Sequence, residues 1–462
     1  MTLPEKLQLN AWSGGGNDGA VVDDYASRIL AGGLAVADKS LPATPANLRD
    51  WRDPRVGWGI VLPARDSYAQ HAGTVDDEPE SICRLMAARP GAPIFRIDGH
   101  WTPGSLTRVY SDGRTVVLQL SAMMLGTGEG CIPYYLLIVG SPAEIPWEVQ
   151  YNLQAYHMVG RLDLTEEGLS NYVNALISGW SDRPPTPSHS LFWSVDHGGG
   201  DITTLMRRTV SEPIYDRFAN DHHTPALIDG ARHLCDEHAT GEDLAQTIEQ
   251  HLPSLIVTSS HGVTSPLDEP LAMQRTLGVP VDAEYRALDP AAFTEDAAPY
   301  GALWFAQACC SAGANAHSDF SDLLKPATAA HRIVTAVTAC GNVSAPLPRS
   351  LLSAKRPARG FVGHVEPTFD WSLRHPETGQ YMTNAFRECF FERLFTGDPI
   401  GLALRPIREA GGRLRSGYED AKERLIEKGD EDQLGILLAM KLAAQDWRSI
   451  VFLGDPTVAV FP

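Results

Sequence analysis

From residue 134 onward the chain repeats one local pattern: a short unbroken apolar run, then a longer stretch with apolar residues at three- and four-residue spacing. The runs are YYLLIVG at 134–140, LFWSV at 191–195, LIVT at 255–258, ALWFA at 302–306 and RIVTAV at 332–337. A strand with one wet face alternates polar and apolar residues, whereas an unbroken run suits a strand buried on both faces of a parallel sheet. The helix-length segments between them fall at 164–180, 202–220 and 242–251. The first opens on Thr165-Glu166-Glu167, acids that suit a helix N-terminus. This alternation predicts an α/β fold with a mainly parallel sheet flanked by helices.

The ends of the chain read differently. Segments 380–397, 400–428 and 431–446 have helical spacing, and Gly411-Gly412 is expected to break or bend the middle one. A last apolar run at 449–453 leads into Gly454-Asp455-Pro456. Residues 1–130 are rich in Gly, Pro and Asp, with strand-like runs at 57–63 and 114–120, and read as an α+β N-terminal region. The expected division is therefore 1–130 and 131–462. Residues 181–188, SDRPPTPS, read as a Pro-rich connector, and no internal repeat is visible.

Composition narrows the function. With 38 basic and 57 acidic residues the net charge is −19, so the global field repels phosphate backbones and disfavours nucleic acid. No stretch reaches the ~18 apolar residues of a membrane span, and the first residues lack the pattern of a secretory signal. The seven cysteines are an odd, scattered set with no CxxC pair, which reads as reduced and cytoplasmic, without a structural zinc site. No metal or other cofactor is expected. Gly198-Gly199-Gly200 is followed by no Gly-Lys-Ser/Thr and so is not a phosphate loop.

In open α/β sheets, sites form at the carboxyl ends of strands. Two predicted strand ends carry reactive groups: Thr258-Ser259-Ser260-His261-Gly262, and Gln307-Ala308-Cys309-Cys310-Ser311 some 48 residues later. A thiolate is a nucleophile, and a nearby imidazole can take its proton and protonate a leaving amine. A glycine after the histidine lets the backbone turn, and its N–H, with that of the cysteine, can face an oxyanion. Taken singly, a strand-end histidine is usually structural and a buried cysteine usually a small hydrophobe. It is the pairing, in this order, that is specific. The order Gln-Ala-Cys with an upstream histidine matches the start of the caspase-type signature, although the following glycine falls at Gly313 rather than at 311.

On these residues the sequence resembles the caspase-like cysteine peptidases: caspases, metacaspases, legumains, separases, gingipains and bacterial CHAT domains. Ala308-Cys309-Cys310-Ser311 is similar to the legumain and CHAT pattern. Residues 136–162 resemble the gingipain segment, 361–366 a late strand of CHAT-like proteins, and Gly454-Asp455-Pro456 the close of both. The resemblance covers 131–462 and implies a caspase-like fold acting through a Cys–His dyad, with no third member required. It implies a protein or peptide substrate, control by an activating protein partner, and a place in bacterial stress or defence. Aligning Ala-Cys-x-Ser makes Cys309 the nucleophile, whereas aligning Cys-x-x-Gly would choose Cys310. Neighbours on a strand face opposite ways, so only one can face His261, and the Gln-Ala-Cys match favours Cys309. His261 is then the acid–base, with Gly262 and Cys309 forming the oxyanion hole.

Asp196, Asp201 and Asp319, with Asp322 beside it, are candidates to hold a basic residue before the cleaved bond; the plainer reading is that they cap helices or face solvent. His364 and Glu366, two apart on one strand face, read as a buried hydrogen-bonded pair. Two rival functions fit the same residues: a non-catalytic caspase-like scaffold for protein association, and a thiol hydrolase or acyltransferase acting on small acyl groups.

Overall fold

The computed structural model describes residues 46–65, 73–182, 186–295, 298–375, 378–428 and 433–461, with two short strand pieces at 6–7 and 20–21. Residues 1–46 form one compact unit, of which the paired strands Lys6–Leu7 and Ala20–Val21 are described. Residues 47–462 form the other.

The second unit is built on a 12-stranded sheet. Its strands are β1 (Trp58–Pro63), β2 (Ile94–Ile97), β3 (Ser105–Val109), β4 (Thr115–Gln119), β5 (Tyr135–Val139), β6 (Met158–Leu162), β7 (Thr186–Ser194), β8 (Ala231–Cys235), β9 (Pro253–Ser259), β10 (Leu303–Gln307), β11 (Gly360–His364) and β12 (Ile450–Gly454). Their order across the sheet is β8-β7-β9-β10-β11-β12-β6-β5-β1-β2-β3-β4. The α/β architecture, the mainly parallel sheet and the helices around it are those the apolar runs predict. Every residue of β5, β9 and β10 is buried, as unbroken apolar runs require.

The topology contains a repeat that the sequence does not display. Strands β8, β7, β9, β10 and β11 are mutually parallel, and so are β2, β1, β5, β6 and β12. Counted along the chain, each set has the spatial order second-first-third-fourth-fifth. The fifth strands meet antiparallel, Val362 of β11 opposite Phe452 of β12. The two sets therefore point their carboxyl ends to opposite edges of the sheet. Residue 130, expected as the boundary of the N-terminal region, lies between strands of this one sheet, in which Trp58 of β1 pairs with Tyr135 of β5. Before it, β2, β3 and β4 form an antiparallel meander, and helix Glu80–Ala87 links β1 to β2.

Helix α1 (Glu166–Ser178) has the acidic first turn seen in the sequence, a Thr165 cap on the Gly168 N–H, and Gly179 in the left-handed conformation at its end. Helix α2 (Gly241–His251) is capped likewise by Thr240. Residues 332–337, expected as a strand, lie in helix α3 (Ala329–Thr338), capped by Thr328. The run is one-sided: Val334, Val337 and Cys340 are buried at helical spacing while Arg332 and Thr335 are exposed. Burial of that stripe outweighs the strand preference of its β-branched residues.

Two further expectations are corrected. Gly411-Gly412 does not interrupt helix α4 (Arg405–Lys428), which runs through both and packs along helix α5 (Gln433–Arg448). Of the Pro-rich connector, 183–185 lie outside the described residues, and from Thr186 the chain is already strand β7. Among the described residues no helix is long and apolar enough to cross a membrane.

Candidate active site

The first strand set gathers the reactive residues at its carboxyl edge. Beyond β9, the Ser260 N–H still pairs with Gln307 O of β10 at 3.2 Å, so His261 and Gly262 emerge beside the chain that leaves β10. The His261 carbonyl accepts from Val281 N at 2.9 Å, and Val263 N donates to Val279 O at 3.0 Å. Gly262 sits between these bonds, opposite Pro280. A Cβ on Gly262 would lie 2.0 Å from the Cys309 carbonyl oxygen, so only glycine lets these two backbones approach. Among the described residues neither the Gly262 N–H nor the Cys309 N–H has a hydrogen-bond acceptor.

The two adjacent cysteines part at a sharp turn. Cys310 has φ +56° and is fully buried in a cluster with Met273, Leu277, Val337 and Cys340. Its N–H is held by the Glu366 carbonyl at 2.9 Å, beyond β11. Cys309 stays half-buried at the border of this cluster. Its Sγ accepts from the Thr368 N–H at 3.3 Å and lies 3.6 Å from the Thr368 carbonyl. Burial pushes the Cys309 thiol up; the Asp446 charge adds to this, and the Thr368 N–H opposes it. Cys309 is thus a neutral thiol at rest, and an external base is needed to make the thiolate.

His261 Nε2 lies 3.0 Å from Asp201 Oδ2. A carboxylate only accepts, so Nε2 carries the hydrogen and Nδ1 is the nitrogen left to take a proton. Asp201 itself is fixed twice, because its Oδ1 accepts from the Thr203 N–H at 2.9 Å and the Thr203 hydroxyl at 2.6 Å, capping the helical segment that starts at Ile202. Burial works against its charge, but the Thr203 and His261 hydrogen bonds outweigh this and hold the carboxyl below its usual range. The His197 ring stacks at 5.6 Å on His261 and at 4.0 Å on Tyr285. Its Nε2 lies 3.1 Å from the Asp282 carbonyl.

His197, Asp201 and His261 bring one donor atom each within 4.8 Å of one another. These three could hold a small cation, a grouping the sequence does not reveal because 60 residues and two strands separate Asp201 from His261. Asp201 and His261 also satisfy each other directly.

Three of the acids proposed for substrate, Asp196, Asp201 and Asp319, have partners in the protein, whereas Asp322 is exposed. Asp196 accepts from Gly198 N at 2.8 Å and from the Thr204 hydroxyl, and these bonds hold its carboxyl low. Asp201 faces His261. Asp319 is exposed and lies 3.7 Å from Arg448. His364 does not pair with Glu366: its Nε2 is 3.2 Å from Gln307 Oε1 and its Nδ1 3.4 Å from Asp446 Oδ1, all buried. Glu366, at φ +88°, instead turns to the Ser318 hydroxyl at 2.5 Å. The positive φ breaks the strand alternation on which the expected pairing rested.

Sequence reasoning reads the loop at 195–201, His197 within it, as one wall of the site, but did not find the stacking of His197 on His261, nor Thr368 or Asp446 as neighbours. It reached Asp201 by its place in the loop after a strand, but not as the partner of His261. Strand order could have supplied that signal, since β7 and β9 are adjacent and their carboxyl-end loops must meet.

No protein-family model and no curated protein matches this sequence. Among solved structures the chain is similar to that of the Saccharomyces cerevisiae separase–securin complex, with 11% sequence identity and a TM-score of 0.35. That similarity covers 74% of this chain and 16% of the other, so this chain spans well under two thirds of that protein's length.

Proposed function

We propose that the chain is a caspase-like cysteine endopeptidase with Cys309 as nucleophile and His261 as acid–base. The observation that carries this reading is the meeting of the two strand ends: Gly262 packs against the Cys309 backbone, with both N–H groups unengaged, while Asp201 orients the His261 ring. A substrate carbonyl seated against those N–H groups would have its developing oxyanion stabilised there. The Cys309 Sγ–H proton passes to His261 Nδ1 as sulfur forms the bond to the carbonyl carbon. The tetrahedral intermediate collapses with cleavage of the C–N bond, and His261 gives the proton to the amine. Water, activated by the same nitrogen, then hydrolyses the thioester and restores the thiol. Asp201 acts here as a positioning residue, a third member the sequence did not require.

A second reading, the non-catalytic scaffold, is favoured by one feature: the Cys309 thiol is protonated and held by the Thr368 backbone rather than primed as an ion pair. An activating partner or the substrate itself would release it in the enzyme reading.

The test is a fluorogenic peptide library scanned at the residue before the cleaved bond, with wild type, Cys309→Ala, Cys310→Ala and His261→Ala under reducing conditions. Loss in Cys309→Ala and His261→Ala, with Cys310→Ala active, establishes the dyad. Loss in Cys310→Ala alone, with its melting temperature kept, reverses the register. No cleavage by any form, together with no labelling of Cys309 by a peptide electrophile, leaves the scaffold.

A further inference from the structure

Away from this site, helices α4 and α5 and the loop between the helix Trp147–Leu153 and β6 enclose a cavity of about 600 Å³. That size lies within the range of small-molecule sites. Its wall contains the Gly411-Gly412 pair, which neither breaks the helix nor serves the thiol site. A Cβ on Gly411 would touch the Trp447 Cβ at 3.4 Å, but one on Gly412 would meet no atom within 4 Å, so Gly412 leaves room there.

Three features of the lining specify a ligand. The first is charge. Arg405 is matched by Glu409 at 2.7 Å and Arg448 by Asp319 at 3.7 Å, but Arg408, Arg415 and Lys441 have no carboxylate partner among the described residues. Arg408 spends its donors on the Gln154 and His157 carbonyls, at 3.1 and 2.7 Å. In a chain of net charge −19, this is a local surplus of cations.

The second feature is a set of buried acceptors. Gln154 and His157 are 7% and 1% exposed, and Gln154 Oε1 and His157 Nε2 have no partner. His157 Nδ1 lies 2.8 Å from the Pro133 carbonyl and so carries the ring hydrogen, which leaves Nε2 as a lone pair. Burial depresses this imidazole to about 4, so it stays neutral. Gln154 Nε2 donates to the Arg448 carbonyl at 2.9 Å, leaving Oε1 to accept. The buried Tyr151 hydroxyl is unpartnered as well. Such groups are costly unless something donates to them. The third feature is aromatic lining: the exposed Tyr156, with the buried Tyr151 and Trp447 bordering the cavity.

We propose that this cavity binds a small organic anion that carries a flat ring and hydrogen-bond donors, of the size and chemistry of an amino-substituted mononucleotide. Its anionic end meets Arg415 and Lys441, its ring lies among the aromatic side chains, and its donors reach Gln154 Oε1 and His157 Nε2.

Isothermal titration of the full chain with AMP tests this, against adenosine, inorganic phosphate and naphthalene-1-sulfonate, which lack respectively the anion, the ring and the donors. The expected result is saturable one-to-one binding of AMP, at least tenfold tighter than each comparator. Lys441→Glu and Arg415→Glu should each weaken it about tenfold. Gly412→Leu should abolish it while leaving the melting temperature in place, because the new side chain fills the cavity without a clash. Absence of saturable AMP binding overturns the proposal, and so does AMP binding unchanged in Gly412→Leu. Adenosine or phosphate binding as tightly as AMP overturns it too.

Discussion

His261 gives its Nε2 hydrogen to Asp201 at 3.0 Å, and the same carboxylate caps the helical segment that begins at Ile202. One side chain thereby ties the orientation of the imidazole to the start of the helical segment that follows the neighbouring strand β7. Asp201→Asn keeps an acceptor for the cap, so the melting temperature should hold. It removes the charge that selects the ring tautomer, and kcat/KM should fall about 10- to 100-fold. That is less than the ~10⁴ seen for a buried triad aspartate, because water reaches this pair. Unchanged kcat/KM would remove Asp201 from the mechanism.

Burial pushes the Glu366 carboxyl up to about 8, against the opposing Ser318 hydrogen bond. A folded-state value raised above the ~4.3 of the unfolded chain means that the native state binds the extra proton between the two. Its contribution to stability is therefore full below about pH 4 and is lost as pH rises through 8. Glu366→Gln, which cannot ionise, should flatten the fall in melting temperature between pH 5 and 9 and melt higher than wild type at pH 9. Parallel melting curves for the two proteins across that range would contradict this.

Cys309 is half-buried and Cys310 fully buried, so iodoacetamide should label the native protein at Cys309 and spare Cys310. The Asp446 charge helps hold the Cys309 thiol protonated. Asp446→Asn should move the pH profile of Cys309 alkylation to lower pH, by a modest amount because burial is the larger cause. Mass-spectrometric mapping of the labelled site checks both statements. Labelling at Cys310, or a profile moved to higher pH, would show that the two thiols are placed otherwise.

Gly278, at φ +68°, would put a Cβ 1.9 Å from the Cys310 carbonyl oxygen. Gly278→Ala strains the backbone and displaces the turn that carries both cysteines, at a cost of about 1–3 kcal/mol. Gly412→Ala is the contrast: an open site in a helix interior, where alanine should gain about 0.5–1 kcal/mol. Chemical denaturation of the two variants should give shifts of opposite sign.

Much of the fold was legible because its strands are buried on both faces. The runs at 134–140, 191–195, 255–258 and 302–306 read as strands buried on both faces, and all four contain strands. The run at 332–337 was not legible, since its five apolar or β-branched residues after Arg332 fit a strand as well as a helix until one knows that a single face is buried. Strand β8, ARHLC, was missed because an edge strand buries little and alternates weakly. The two-set order of the sheet was invisible too, because topology repeats here through hydrogen-bond partners and not through side chains.

The candidate site divides in the same way. His261, Gly262, Cys309 and their strand-end positions came from local sequence alone, since a strand's end and the residues after it are written contiguously. Which cysteine faces outward was decided by the turn at Cys310, whose positive φ buries that side chain and leaves Cys309 at the border. That Asp201 meets His261, that Thr368 holds the thiol, and that His364 pairs with Asp446 and not with Glu366 are all contacts between residues 59 to 82 positions apart in the sequence. Sequence sets what each segment can become. Only the order in which β7, β9, β10 and β11 lie side by side sets which segments touch.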